Sequence, residues 1–113
     1  MEKAIEIQKE NINSLLQLVK DNPDLPILPM VDYEIVADDC YSYWTGSWGN
    51  AEIDSYCIAN ERVLFLSDGT EEIFEQINGT VPDYVENEKE YIDYMVMALD
   101  WTKAIIVYIE LPN

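Results

Sequence analysis

The strongest constraint on this chain is its charge. It has 23 acidic residues, 6 basic residues and no histidine, which gives 113 residues a net charge of −17. Small domains usually carry a net charge of about 2 to 8 units, and a larger excess opposes compaction through self-repulsion. Apolar residues nevertheless make up 49% of the sequence, which is typical of a folded protein and not of a disordered acidic chain. We therefore expect a folded domain with an acidic shell.

The basic residues are distributed unevenly along the chain. Residues 21–61 contain nine acidic residues and no lysine or arginine, and residues 68–88 contain seven more acidic residues, again without a cation. Arg62 is the only cation between Lys20 and Lys89. This pattern suits a strongly basic protein partner, and it opposes direct binding to nucleic acid or to an anionic membrane surface.

Three segments have the apolar spacing of amphipathic helices. The first covers residues 3–21 and ends at Asn22-Pro23, because the residue before a proline is pushed out of the helical region. Its apolar stripe comprises Ile5, Ile12, Leu15, Leu16 and Val19. The second begins at Asp68, with Glu71 three residues later as in a capping box, and ends at Asn78-Gly79. We expect it to bury Ile73, Phe74 and Ile77.

The third helix is predicted over residues 87–100, where Asn87 and Glu90 repeat the capping pattern. Its core stripe is Ile92, Met95, Val96 and Leu99. Prolines 23, 26 and 29 indicate an extended, rigid connection between the first helix and the sheet. A proline-rich recognition motif is the less favoured alternative for that segment.

Four segments are predicted to be strands. Residues 30–37 alternate, with Val31, Tyr33 and Ile35 on one face. Residues 50–59 and 61–67 form an antiparallel pair joined at Asn60-Glu61. The β-branched run over residues 103–111 is typical of a strand covered on both faces. The sequence thus predicts one α+β domain over residues 1–113. Its sheet of about four strands is mostly antiparallel, has the C-terminal strand at its centre, and packs with three helices.

Motifs for catalysis, metal binding or cofactor binding are not apparent. The sequence lacks histidine, the commonest general base, and it has no Gly-rich phosphate loop or calcium loop. Cys40 and Cys57 match no zinc or redox spacing. We expect two reduced thiols in a bacterial cytoplasm, although a disulfide between them stays open. We further expect no enzymatic activity, no cofactor, no metal, no secretion signal and no membrane span.

The candidate partner-binding residues are acidic side chains at regular spacing, with one aromatic anchor. Carboxylates two apart on a strand are about 6.8 Å apart, which is comparable to two phosphate steps of about 3.4 Å along one DNA strand. The candidates are Asp32, Glu34, Asp38, Asp39, Trp48, Glu52, Asp54, Glu71, Glu72 and Glu75. Two alternatives stay open: the acids form a solvated face that maintains solubility, and Trp48 packs with Tyr41, Tyr43 and Trp44 over a hairpin.

Three segments carry a resemblance to a known group of proteins. DYEIVADD (residues 32–39), WTGSWGNAEID (residues 44–54) and WTKAIIVYI (residues 101–109) resemble a family of small acidic proteins encoded in phages and mobile elements of Gram-positive bacteria. The resemblance extends from about Leu25 onward and implies no catalytic residue. In size and acidity the chain is also similar in kind to anti-CRISPR and DNA-mimic anti-restriction proteins, which implies a host target such as a Cas nuclease.

Four functional hypotheses follow from these observations. The first is an inhibitor that occupies the basic nucleic-acid cleft of a host defence nuclease, with carboxylates replacing phosphates. The second is an immunity protein that neutralises a basic nuclease toxin, which the same charge pattern would serve. The third is a hydrolase that uses paired carboxylates, and the fourth is a phage structural or accessory protein. The oligomeric state is not indicated by the sequence.

Overall fold

The computed structural model describes residues 2–35 and 45–112. Within these residues there are three α-helices and four strands. In chain order they are α1 (Glu2–Asp21), β1 (Ile27–Val31), β2 (Ser47–Ala59), β3 (Arg62–Phe65), α2 (Thr70–Gln76), α3 (Glu88–Met97) and β4 (Thr102–Glu110). Short 3-10 helices cover Tyr33–Ile35 and Leu66–Asp68. The strand order is β1-β4-β2-β3, and the predicted α+β class is confirmed.

The C-terminal strand lies inside the sheet, as its β-branched sequence predicts. Residues 104–107 of β4 are at most 2% exposed, so this part of the strand is covered on both faces, and β4 has neighbouring strands on both sides. β1 pairs with β4 in parallel, with Ile27 opposite Ile105 and Val31 opposite Ile109. β2 and β3 pair antiparallel. The sheet is therefore mixed, and the expectation of antiparallel pairing does not hold for β1 and β4.

The chain divides into two compact units. The first unit comprises residues 1–53 and 104–113, and the second comprises residues 54–103. β2 and β4 each contribute residues to both. The organisation of the whole chain as one domain stays a prediction, and the two units are described in turn.

In the first unit, α1 confirms the helix predicted over residues 3–21. The chain leaves the helix at Asn22, whose backbone amide and side-chain amide both donate to the carbonyl oxygen of Leu18, at 2.9 and 3.0 Å. Gln8 and Asn11 of α1 bind the backbone of Trp48: the Trp48 amide donates to Gln8 Oε1 at 3.2 Å, and Asn11 Nδ2 donates to the Trp48 carbonyl at 2.9 Å. The predicted apolar stripe is only partly buried, since Ile5 and Leu16 are exposed.

The strand predicted over residues 30–37 is wrong in its position. β1 ends at Val31 because Asp32 starts a turn: the Glu34 amide donates to Asp32 Oδ1 at 2.9 Å, and the Ile35 amide donates to the Asp32 carbonyl at 3.0 Å. An aspartate side chain commonly competes with a strand in this way. Tyr33 is consequently 83% exposed while Ile35 is buried, so the two do not share a face. Residues 36 and 37 lie outside the described residues.

β1 also replaces part of the extended connection predicted over residues 23–30. Pro29 lies inside this strand. Proline has no amide hydrogen, so it is tolerated in a sheet mainly on an edge strand, and β1 is an edge strand. The proline spacing therefore marks a strand that can pair on one side only.

In the second unit, the hairpin of β2 and β3 has the predicted turn. Asn60 and Glu61 adopt left-handed conformations, with φ values of 53° and 64°, as in the turns that match the twist of paired strands. Ala59 lies opposite Arg62 and Cys57 lies opposite Leu64. β2 begins at Ser47, three residues earlier than predicted, and β3 ends at Phe65, where the 3-10 helix begins.

The helix α2 begins differently from the prediction. Asp68 belongs to the preceding 3-10 helix, and the residue before α2 is Gly69, which forms no side-chain cap. The predicted end is confirmed. Asn78 has a φ of 57°, its amide donates to the Glu75 carbonyl at 3.0 Å, and the Gly79 amide donates to the Phe74 carbonyl at 2.9 Å. These two bonds form a Schellman motif.

The helix α3 begins as predicted. Asn87 Oδ1 accepts a hydrogen bond from the Glu90 amide at 3.1 Å. The helix ends at Met97 instead of residue 100, and the indole of Trp101 donates to the Val96 carbonyl at 2.8 Å. The assignment of Met95 to the core is wrong, because it is 39% exposed. The core of this unit consists of Cys57, Leu64, Ile73, Phe74 and Val96.

Candidate functional site

The structure separates the ten predicted partner-binding residues into three groups. Asp32, Glu34, Trp48 and Glu52 belong to the first unit, and Asp54, Glu71, Glu72 and Glu75 belong to the second. Asp38 and Asp39 lie outside the described residues. No charged side chain is buried anywhere in the described part of the chain, so the predicted acidic shell is present there.

Three of the predicted residues line one open depression. Glu71, Glu72 and Glu75 of α2 lie there with Asp68, Gly69 and Thr70. All four carboxylates are on exposed residues, and none of the lining residues is basic. We refer to this feature as the acidic depression. A like-charge pair at i and i+4, such as Glu71 and Glu75, slightly destabilises a helix, so the stability of α2 does not explain why these two charges are paired.

Part of this charge does have a structural role. Glu71 and Glu72 lie in the first turn of α2, where a negative charge interacts favourably with the helix dipole, by about 0.3–1 kcal/mol. Glu75 lies in the second turn and gains little from the same effect, because the effect falls off within one turn. Of the three glutamates of the acidic depression, Glu75 is therefore the one whose charge contributes least to the stability of α2.

Asp54 is held by the fold. Its carboxylate accepts hydrogen bonds from the Ser55 amide at 2.8 Å and from the Ser67 amide at 3.3 Å, and it also accepts one from the Ser67 hydroxyl. These bonds join β2 to the 3-10 helix after β3. Each hydrogen bond to a charged group contributes about 1.5–3 kcal/mol, so the carboxylate is oriented by its own chain. Asp54 is a structural residue of this unit.

The acids of the first unit also have internal hydrogen-bond partners. Asp32 accepts from the Glu34 amide, as described above, and Glu34 Oε1 lies 3.4 Å from the hydroxyl of Tyr33. Glu52 Oε1 accepts a hydrogen bond from the Tyr108 hydroxyl at 2.9 Å. Trp48 is 42% exposed, with its backbone held by α1. The hypothesis that it packs with Tyr41, Tyr43 and Trp44 concerns three residues outside the described ones.

An exposed stripe on α3 was not predicted from the sequence. Glu90, Tyr94 and Met97 follow each other at helical spacing, and Tyr94 and Met97 are 73% and 56% exposed. The i, i+4, i+7 pattern places them on one face of the helix. The helical spacing of these three residues is visible in the sequence. The stripe was missed because the neighbouring residue Met95 was wrongly assigned to the core.

Asp93 connects this stripe to the acidic depression. The hydroxyl of Thr70, which lines the depression, donates to Asp93 Oδ1, and α2 packs against α3. Asp93 also lies three residues after Glu90 and four before Met97, so it adjoins both on the helix surface. The depression and the stripe are therefore neighbouring parts of the second unit.

Cys57 is a free, buried thiol. Burial raises the pKa of this thiol above its ordinary value, and the nearby carboxylate of Asp100 raises it further. The protonated form is a poor nucleophile, and the chain has no histidine to activate it. In the described residues there is no group of three or more side chains suited to hold a metal ion.

The helices of the described residues include none that is both long and apolar enough to cross a membrane. No protein-family model, curated protein or solved structure matches this chain.

Proposed function

We propose that this protein is an inhibitor that binds the basic nucleic-acid cleft of a host defence nuclease, where its carboxylates take the places of phosphates. The observation that carries this proposal is the charge of the second unit. Residues 54–103 contain twelve acidic and three basic residues, and the four carboxylates of the acidic depression have no basic residue among them.

The physical basis is competition for lysine and arginine side chains. A single exposed ion pair contributes about 0–1 kcal/mol, so tight binding needs several carboxylates that engage together. Complementary potentials also accelerate association. The acids of the depression suit this role, because the carboxylates of Glu71 and Glu75 form no hydrogen bond or ion pair with any other described residue. Their charge is available to a partner without loss of an internal contact.

The first unit supports the proposal less strongly. It contains eleven acidic and three basic residues, but its three lysines, Lys3, Lys9 and Lys20, all belong to α1. The same helix carries four acids, so α1 is nearly neutral and offers little net charge to a basic partner. Of the five described acids of this unit outside α1, the carboxylates of Asp32, Glu34 and Glu52 accept hydrogen bonds from their own chain. We therefore assign the main contact to the second unit.

Infection of bacteria that carry a defence nuclease tests the proposal. Strains with defined CRISPR–Cas or restriction systems would express the protein and then be challenged with a targeted phage. We expect one of these systems to lose protection, with plating efficiency rising by about tenfold or more. Unchanged phage plating in every system would contradict the proposal. If the protein instead raises the survival of a strain that expresses a basic nuclease toxin, the immunity-protein hypothesis replaces this one.

A pair of matched variants tests whether the acidic depression is responsible. Glu71→Lys/Glu75→Lys and Glu6→Lys/Glu10→Lys each reverse two exposed charges four residues apart on one helix, α2 or α1. Both change the net charge by the same amount. We expect the α2 variant to lose inhibition and the α1 variant to keep it, with circular dichroism confirming that both are folded. Glu71→Gln/Glu75→Gln, which removes the two charges without reversing them, is the alternative variant if the lysines disturb the first turn of α2. Equal loss in both variants would mean that only net charge matters.

A further inference from the structure

We propose that the stripe of Glu90, Tyr94 and Met97 on α3 is the contact surface for an arginine-bearing segment of the basic partner. This inference rests on the proposed function and adds the chemistry that the partner presents. The stripe combines a carboxylate with two large apolar side chains, of which Tyr94 is 73% exposed. An exposed aromatic ring beside a carboxylate matches a guanidinium group, which stacks on the ring and pairs with the acid.

The spacing supports this reading. Glu90 and Tyr94 are four residues apart on α3, so their Cβ atoms lie about 5–6 Å from each other. An arginine side chain can therefore place its plane over the ring of Tyr94 while it donates hydrogen bonds to Glu90. Lysine is a compact, strongly hydrated charge and cannot form this planar, two-part contact equally well. Met97 extends the apolar surface with a flexible side chain that adapts to the stem of a long cation.

Charge complementarity identifies the occupant of this face. α3 carries Glu88, Glu90 and Asp93 against the single cation Lys89, and Asp93 is joined to Thr70 at the rim of the acidic depression. An apolar partner or a second copy of this acidic chain would bring either no countercharge or more negative charge to this surface. A cationic segment would satisfy both the ring and the surrounding carboxylates.

Short peptides test the inference directly. Nona-arginine and nona-lysine would each be titrated into the ¹⁵N-labelled full chain at about 50 mM NaCl, with backbone amide shifts and dissociation constants as readouts. We expect nona-arginine to bind about two- to fivefold more tightly, as a cation–π contact at an exposed site implies, with the largest shifts in residues 90–97. Equal affinities, or shifts centred on residues 27–34, would overturn the inference.

A second exposed tyrosine provides the matched control. Tyr33 is 83% exposed and lies beside its own carboxylate, Glu34, but it belongs to the first unit. We expect Tyr94→Ala to remove the preference for arginine and Tyr33→Ala to keep it. A preference for arginine that persists in Tyr94→Ala would contradict the proposal. The proposal would also be contradicted if sedimentation showed that the wild-type protein self-associates and that Tyr94→Ala abolishes this self-association.

The phage assay separates failure of this inference from failure of the proposed function. If wild-type protein inhibits a nuclease and Tyr94→Ala/Met97→Ala inhibits equally well, the proposed function stands and the contact surface is wrong. If wild-type protein inhibits no nuclease while its arginine preference depends on Tyr94, the stripe is an arginine-binding surface and the proposed function is wrong.

Discussion

The predicted partner-binding carboxylates of the two units differ in their internal contacts. In the first unit, Asp32 and Glu52 accept hydrogen bonds from their own chain, and the lysines lie on the helix that already carries four acids. In the second unit, Asp54 is bound internally, but the carboxylates of Glu71 and Glu75 have no partner among the described residues. The number of acids in a unit therefore does not show how many of its carboxylates lack an internal partner. We propose that these unengaged carboxylates, and not the total number of acids, determine where a basic partner binds.

The two units also build their cores differently. Among the described residues of the first unit, the buried hydrophobic side chains are those of Ile35 and of residues 104–107 of β4, and α1 leaves Ile5 and Leu16 exposed. In the second unit the buried cluster combines Cys57 and Leu64 of the hairpin with residues of α2 and α3. The second unit thus places its unengaged charges on helices that are anchored by a shared core.

The largest expected effect comes from a charge placed in either core. Ile106 and Ile73 are both fully buried, one in each unit. We expect Ile106→Asp and Ile73→Asp each to abolish cooperative thermal unfolding, because a buried carboxylate without a partner costs several kcal/mol. Ile106→Val is the control and should cost only about 0.5–1.5 kcal/mol. A soluble Ile106→Asp protein with a normal unfolding transition would show that β4 is not central.

The next effect compares close packing in the two units. A Cβ atom at Gly49 would lie 2.8 Å from the carbonyl oxygen of Tyr108, whereas one at Gly79 would lie 2.5 Å from the ring of Phe74. Backbone yields less than a side chain, so we expect Gly49→Ala to cost about 2–3 kcal/mol and Gly79→Ala about 1–2 kcal/mol. Chemical denaturation measures both. The reverse order would mean that the second unit is the more rigid of the two.

A stabilising change is expected in the hairpin of the second unit. Glu61 has a left-handed conformation, which costs a non-glycine residue roughly 1–2 kcal/mol. Glu61→Gly creates an Asn-Gly turn, the sequence that this hairpin geometry favours, and removes a negative charge. We expect a gain of about 0.5–1 kcal/mol in the free energy of unfolding. Glu61→Gln, which removes only the charge, shows how much of the gain is electrostatic. A loss of stability in Glu61→Gly would contradict the turn assignment.

The last expected effect is confined to alkaline pH. Burial raises the pKa of the Cys57 thiol in the folded protein, so the folded state holds its proton more tightly than the unfolded state does. The resulting stability is fully present below the ordinary thiol pKa of about 8.5 and is lost as pH rises through the raised value. One proton contributes at most about 1.4 kcal/mol per pH unit. We expect Cys57→Ala to show a weaker decline above pH 8.5 than wild type, and identical slopes would contradict this assignment.

Local signals in the sequence were sufficient for much of the fold. Asn87 caps α3 as predicted because its side chain faces the Glu90 amide, and Asn78 ends α2 because it adopts a left-handed conformation. Asp68 carries the same type of signal and the prediction failed there, because the chain continues from β3 into a 3-10 helix that incorporates this residue. Likewise, the alternation over residues 30–37 was overridden by the turn at Asp32.

The candidate site was less predictable, for a physical reason. The sequence shows where acids are concentrated, but not which of them bond within the fold. Asp54 and Ser67 form a hydrogen bond although they are 13 residues apart in the sequence, and Glu52 and Tyr108 do so at a separation of 56 residues. Contacts between such distant positions leave no local pattern in the sequence. The exposure of Tyr94 likewise depends on which side of α3 packs against the core. The apolar spacing alone did not show where the buried side of α3 ends and the exposed side begins.

Competition with DNA tests the central claim most directly. A nuclease that the phage assay identifies would be bound to a fluorescent duplex, and this protein would be added at about 50 and 500 mM NaCl, a range over which screening increases strongly. We predict that the protein displaces the duplex, that its potency falls at least about tenfold at high salt, and that Glu71→Lys/Glu75→Lys fails while Glu6→Lys/Glu10→Lys succeeds. Inhibition with the duplex still bound, or displacement that is independent of salt, would contradict the account.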